Sequence, residues 1–298
     1  MADARSYRGR FAPSPTGDLH FGSLLAALGS WLRARSAKGA WLVRIEDLDP
    51  PREVPGSTDS ILRSLRACAL DPDEAPAYQS TRWELYSAAL QRLRDAGHVF
   101  PCWCSRSDLA ARGGVHRGAC LSSPDSRREP AWRVRVDEAV ITFKDGLQGS
   151  QRWPLSAEGD FVVKRADGPF AYQLACAIDD AAQGITEVVR GADLLDSTPR
   201  QIFLLRLLGL PEPAYLHLPV AVDAHNRKFS KSEGAAALDP RDPLPAMRTA
   251  LALLGIPHAA LRARASRTLL RNALSAFDPT ALPRTRNLLV QRGETFPA

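Results

Sequence analysis

The stretch Arg10-Phe-Ala-Pro-Ser-Pro-Thr-Gly-Asp-Leu-His-Phe-Gly-Ser23 decides the fold. Residues 7–12 read as a strand that runs straight into Pro13-Ser-Pro-Thr-Gly17, a turn. A helix is expected from near His20 to about residue 37, with Leu24, Leu25, Leu28 and Leu32 at helical spacing. Residues 41–45, Trp-Leu-Val-Arg-Ile, form a second strand apolar enough to be buried in a parallel sheet. Strand, helix, strand opens a βαβ unit. Open parallel sheets bind ligands at the carboxyl ends of their strands. A helix N-terminus placed there offers free N–H groups and a positive dipole end to phosphate. His20 can donate a hydrogen bond to a phosphate oxygen, and Gly22 lets an adenine and ribose approach the backbone closely. Taken alone, the pattern fits a purely structural strand-turn-helix equally well.

Working outward, residues 58–70 and 81–96 are helical, and Gly97 stops the second helix. Residues 100–124 are cysteine-rich and short in elements. Residues 132–136 and 139–143 are strand-like. Residues 161–164 and 170–174 flank the turn 165–169 and are expected to pair as a hairpin. Residues 185–190 are another β-type run. A helix is expected over 198–208, capped by Thr198 with Pro199 at its first position. Residues 215–222 are strand-like, 226–234 form a polar loop, and the pattern is helical from 239 onward.

In that polar loop stands Lys228-Phe-Ser-Lys-Ser232. Two lysines and two hydroxyls can hold a triphosphate whose charge rises as its α-phosphorus is attacked. Alone this is a solvated basic loop. With the first motif, more than two hundred residues earlier, it points to one nucleotide site at a topological switch point. The chemistry implied is activation of a carboxylate as an acyl-adenylate.

Composition agrees. The 298 residues suggest roughly two domains' worth of chain. Hydrophobic residues at 45% and charged residues at 24% are those of a soluble globular protein. No apolar run is long enough to cross a bilayer, and residues 1–8 carry no signal-peptide core, so a cytoplasmic protein is expected. Lys plus Arg is 39 against 33 Asp plus Glu, a net charge of +6, which suits a phosphate-bearing partner. A monomer is expected.

Five cysteines without an export signal argue against disulfides. Cys102, Cys104 and Cys120 cluster with His116, three soft ligands and an imidazole that suit a closed tetrahedral Zn²⁺ site of structural role. Cys68 and Cys176 sit in apolar runs and read as core.

The paired motifs resemble the His-Ile-Gly-His and Lys-Met-Ser-Lys-Ser signatures of the class I aminoacyl-tRNA synthetases. Here they stand as His20-Phe-Gly-Ser23 and Lys228-Phe-Ser-Lys-Ser232. Phe21 and Phe229 replace the usual Ile and Met, and Ser23 replaces the second His. The strings 10–17, Arg44-Ile-Glu-Asp47 and Val189-Arg-Gly-Ala-Asp193 resemble the glutamyl-tRNA synthetase branch. With Asp47-Leu-Asp-Pro-Pro-Arg-Glu-Val-Pro-Gly56, they are still more similar to its short relatives, the glutamyl-queuosine tRNA(Asp) synthetases. The likeness runs from about residue 8 to about residue 242, and too few residues follow Ser232 for a large anticodon-binding part.

The resemblance implies an α/β fold. A Rossmann-like catalytic domain would span 1–99 and 185–238, with a zinc-bearing α/β insertion over 100–184 and a helical C-terminal region over 239–298. It implies glutamate-binding residues Arg10, Ala12, Ser14, Glu46, Tyr172 and Arg190, and ATP-binding residues Pro13, His20, Gly22, Ser23, Ser230 and Lys231. His20, Lys228 and Lys231 would be catalytic. Arginines suit the substrate carboxylates because they bind them bidentately. Glu46 suits the ammonium, and Arg190 would hold the side-chain carboxylate. Mg²⁺ is expected with ATP. The acceptor implied is the queuosine base of tRNA(Asp), with glutamate activated before tRNA binds. The family usually has Tyr where this chain has His116, and histidine is the better zinc ligand. Charging of tRNA(Glu) by a truncated synthetase, or RNA binding by a paralogue without catalysis, are the competing readings.

Overall fold

A computed structural model describes residues 6–110, 113–223, 225 and 238–289. The chain starts with β1 (Arg8–Phe11), α1 (Phe21–Ser36) and β2 (Ala40–Ile45), the βαβ opening expected. α2 (Ser57–Ala67), β3 (Ala77–Tyr78) and α3 (Trp83–Asp95) follow. β2 pairs in parallel with β1, setting Phe11 opposite Val43, and with β3 on its other side. The turn into β2 needs Gly39, because a Cβ there would lie 2.3 Å from the Tyr7 carbonyl oxygen.

Next come β4 (Val99–Cys102), α4 (Arg106–Ala110), β5 (Ala131–Val134), β6 (Val140–Asp145), β7 (Gly149–Pro154) and β8 (Val162–Lys164). β4, β5 and β8 form a separate antiparallel sheet. The hairpin expected across 165–169 closes only as far as the bridge from Lys164 to Phe170. Its second arm instead becomes α5 (Tyr172–Ala182). The run Tyr-Gln-Leu-Ala-Cys-Ala-Ile favours helix, and as a helix it buries Leu174, Ala175 and Ile178 on one side.

β9 (Glu187–Gly191), α6 (Thr198–Leu207), β10 (Ala214–Leu218) and β11 (Val220–Val222) complete the central part. Pro219 divides the strand expected over 215–222, since it cannot donate to a ladder. α7 (Leu244–Leu253), α8 (Ser266–Ala276) and the short β12 (Asn287–Leu289), which pairs with β11, lie beyond. β9 and β10 are parallel, β6 joins β10 in parallel, and β7 hangs antiparallel on β6. Residues 140–154 therefore extend the main sheet rather than a separate body.

The two parallel groups meet at β1 and β9, where Thr186 N donates to Arg8 O at 2.9 Å. The strand sequence across the molecule is thus β3, β2, β1, β9, β10, β6, β7, with chain order reversing between β1 and β9. That reversal is the switch point at which such sheets bind ligands. Alternation along the strands splits the core. Trp41, Val43, Ile45, Val189 and Leu216 face a core with α1, α2, α7 and α8. Leu42, Val188 and Tyr215 face a second core with α3, α5 and α6. Among the described residues no helix is long and apolar enough to cross a membrane.

Candidate active site

Arg10 and Arg44 share the parity of Leu42, and Arg190 and His217 that of Val188 and Tyr215, so all four project toward α5. α5 meets them with Tyr172, Cys176, Asp179, Asp180 and Gln183, a spacing that falls on one helix face. The result is a polar layer between sheet and helix. Arg10 Nε donates to Asp180 Oδ1 at 2.9 Å and its Nη2 to Asp180 Oδ2 at 3.2 Å. Arg44 Nη1 donates to Asp180 Oδ1 at 2.7 Å, and Arg44 Nη2 to Glu46 Oε1 at 3.2 Å. Asp179 accepts from Gln79, Arg82 and Tyr86. Burial alone would raise the Asp180 carboxyl, but the two guanidiniums outweigh it and hold it well below the usual range. Glu46 is shifted the other way, upward, because burial outweighs Arg44 and Arg10.

A cavity of about 410 Å³ opens at the switch point. Arg10, Ala12, Pro13, Ser14, His20, Gly22, Ser23, Glu46, Tyr172 and Arg190 all line it. One wall is thus the strand-turn-helix and another the polar layer. His20 is the N-cap of α1. Its Nδ1 accepts from Ser23 N at 3.3 Å, so the ring proton sits on Nε2, 3.0 Å from Ser23 Oγ. The serine in place of the second signature histidine is therefore in hydrogen-bond contact with the first. Arg190 Nη1 donates to Tyr172 Oη at 3.2 Å, which leaves the phenol proton for a ligand. Burial pushes the Tyr172 phenol far above its ordinary pKa.

Lys228, Ser230 and Lys231 lie outside the described residues. Before them, Val220 and Ala221 line the cavity. After them, Leu238 N donates to Leu19 O at 3.0 Å, and Leu19 also lines it. A second cavity, about 350 Å³, shares Ser14, Thr16, Glu46 and Tyr172 with the first. Sequence reading passed over Asp180, Asp145 and His217, although the polar i, i+4, i+7, i+8 pattern of α5 was there to be seen.

Cys102, Cys104, His116 and Cys120 come together with their ligand atoms all within 4.8 Å of one another. His116 Nδ1 lies 2.9 Å from Asp160 Oδ2, while its buried Nε2 has no hydrogen-bond partner. A buried lone pair aimed at three thiols is the donor set that a zinc ion satisfies. Burial opposes ionisation of Cys104, but the N–H groups of Ser122 and Leu121 outweigh it and lower its pKa. Burial and then the neighbouring thiols push Cys120 up to about 12.

The sheet, its switch point and the strand-turn-helix cavity are those of a class I tRNA synthetase catalytic domain. Residues 6–274 match the family model described as tRNA synthetases class I (E and Q), catalytic domain. The glutamyl-Q tRNA(Asp) synthetase of Xanthomonas oryzae pv. oryzae is 56% identical over 284 residues, covering 94% of each chain. That of Burkholderia cenocepacia is 57% identical over 263 residues, covering 84% of this chain and 88% of its own. The chain belongs to the glutamyl-Q tRNA(Asp) synthetase family and is an ATP-dependent ligase. In fold it is similar to a glutamate tRNA ligase from Elizabethkingia meningosepticum, with a TM-score of 0.78 at 23% identity. The match covers 94% of this chain but 66% of that one, just under two thirds.

Proposed function

We propose that the enzyme activates L-glutamate with ATP, before any tRNA binds, and transfers the glutamyl group to the queuosine base of tRNA(Asp). The observation that carries this reading is the meeting of the α1 helix start with a wall of two arginines, a glutamate and a tyrosine in one cavity. Glutamate offers two carboxylates and an ammonium. Arg190 and Tyr172 suit the side-chain carboxylate. Glu46 suits the ammonium. Asp180 takes Nε and Nη2 of Arg10, so Arg10 would reach the substrate through Nη1, with Ala12 and Ser14 beside it.

In the first step a carboxylate oxygen of glutamate attacks the α-phosphorus of ATP. An O–P bond forms, the bond to the bridging oxygen breaks, and pyrophosphate leaves. His20 and Ser23, together with Lys228, Ser230 and Lys231, would stabilise the charge that builds on the phosphates. Pro13 and Gly22 would floor the nucleotide. Mg²⁺ would accompany ATP, held largely by the nucleotide's phosphates; among the described residues the candidate metal-ligand group is the cysteine–histidine cluster. In the second step a hydroxyl of the modified base attacks the acyl carbon, AMP leaves, and the hydroxyl proton passes to solvent. The second cavity, which reaches the same Glu46 and Tyr172, is where the acceptor would enter. Positioning accounts for most of the acceleration.

A zinc ion held by Cys102, Cys104, His116 and Cys120 would supply cross-linking between β4 and the loops that follow it, not reaction chemistry. Glutamate-dependent pyrophosphate exchange in the absence of tRNA tests the first step. Transfer to tRNA(Asp) with and without queuosine, and to tRNA(Glu), tests the second. Absence of exchange would sink the reading, and charging of tRNA(Glu) alone would replace its acceptor.

A further inference from the structure

Asp145, His217 and Arg190 form a row across three neighbouring strands. Tyr215 of β10 pairs with Asp145 of β6, and His217 of β10 is the register partner of Arg190 on β9. Asp145 is locked first, because its Oδ1 accepts from Leu147 N, Gln148 N and His217 N. Its Oδ2 lies 2.6 Å from His217 Nδ1. Arg190 Nε in turn donates to His217 Nε2 at 3.1 Å. A guanidinium has no acceptor, so Nε2 must carry the lone pair and Nδ1 the proton given to Asp145. Thr198 Oγ1 completes the ring, receiving Arg190 Nη2 at 2.8 Å and standing 3.1 Å from His217 Nε2.

These contacts, with Leu194 O on Nη2, hold the Nε and Nη2 side of Arg190 against the protein. They leave the Nη1 side toward Tyr172 and the cavity. His217 is itself fully buried and cannot touch a ligand. A guanidinium with several rotatable bonds gains nothing as a specific reader unless its plane is fixed, because ordering it on binding costs affinity.

We propose that His217, held by Asp145 in its Nδ1–H tautomer, is a positioning residue that fixes the plane of Arg190 and thereby sets the enzyme's affinity for the substrate side-chain carboxylate. This rests on the glutamate reading given above. Burial also keeps His217 neutral, with its pKa lowered to about 4, so the lone pair is present throughout the neutral range.

The test is glutamate-dependent pyrophosphate exchange by His217→Phe, which fills the space without an acceptor. KM for glutamate should rise about tenfold, the factor that ~1.4 kcal/mol of lost charge-assisted hydrogen bonding gives. KM for ATP should stay put and kcat should change less than KM. His217→Gln, which can still accept from Nε, should recover part of the loss. Thr198→Val provides the second reading if the phenylalanine variant does not fold, with a smaller rise in the glutamate KM alone. Folded variants with an unmoved glutamate KM, or with both KM values rising together, would overturn the assignment. A wild-type enzyme without glutamate-dependent exchange would instead overturn the glutamate reading, and this inference with it.

Discussion

Arg10 and Asp180 meet at two points, Nε to Oδ1 at 2.9 Å and Nη2 to Oδ2 at 3.2 Å, with both side chains buried. Asp180 also holds Arg44, which has Glu46 and Asp179 as further acidic partners. Asp180→Asn takes the carboxylate from Arg10 and one of three acidic partners from Arg44. Breaking a buried pair from one side costs about 3–5 kcal/mol, and urea unfolding should show a loss of that order. The carboxyl is held below its ordinary value. Its contribution is therefore complete above about pH 4 and fades as the pH falls below that.

A second prediction separates two roles of His20. As N-cap of α1 it satisfies a backbone donor, and as a cavity residue it would face phosphate. Asparagine is at least as good a cap but lacks the imidazole. His20→Asn should leave the melting temperature within about 2 °C, given that a cap is worth ~1 kcal/mol. Pyrophosphate exchange should fall about 100-fold, the usual loss when one transition-state donor is removed. Equal loss of stability and activity would reduce His20 to its cap.

Local pattern made the βαβ opening legible, because α1 carries Leu24, Leu25, Leu28 and Leu32 at helical spacing and β2 is apolar and buried apart from the charge of Arg44. The same logic missed β7, whose Gly-Ser-Gln-Arg-Trp-Pro sequence has no apolar face; it is a strand because β6 offers it an antiparallel partner. The hairpin expected at 165–169 failed because residues 172–178 bury more as a helix under the sheet than as an edge strand. The described residues expected to bind glutamate and ATP all line one cavity, and the four expected zinc ligands cluster apart from it. What stayed hidden was support. Asp180, Asp145 and His217 lie 170, 72 and 27 residues from the partners they hold, and only tertiary structure joins such distances. Cys176 shows the limit from the other side. It was read as core and is buried, but its Sγ lies among Arg10, Arg44 and Asp180.

A third prediction concerns the cysteine cluster. Asp160 Oδ1 accepts from Val136 N at 3.0 Å, and Oδ2 faces His116 Nδ1 at 2.9 Å. In Asp160→Asn one of those positions must become an amide N–H, which opposes a donor. The ring then loses the partner that aims Nε2 at the thiols. Losing such an outer partner weakens metal binding about 10–100-fold. Chelator competition should show zinc released from the variant at correspondingly lower chelator concentration, with glutamate KM unchanged.

The last prediction is a pH dependence of stability with a defined sign. Buried His217 has a folded pKa of about 4 against an ordinary 6.5. Burial is the largest cause, Arg190 and Arg10 add to it, and Asp145 opposes it. Between those two values the unfolded chain binds a proton that the folded chain does not. Stability therefore falls as the pH drops from about 6.5 toward 4, by up to ~3 kcal/mol at 1.36 kcal/mol per unit. His217→Gln has no such proton to bind in either state. Its urea midpoint should change less than that of the wild type between pH 7 and pH 5. A variant with the wild-type slope would assign the acid sensitivity to other groups.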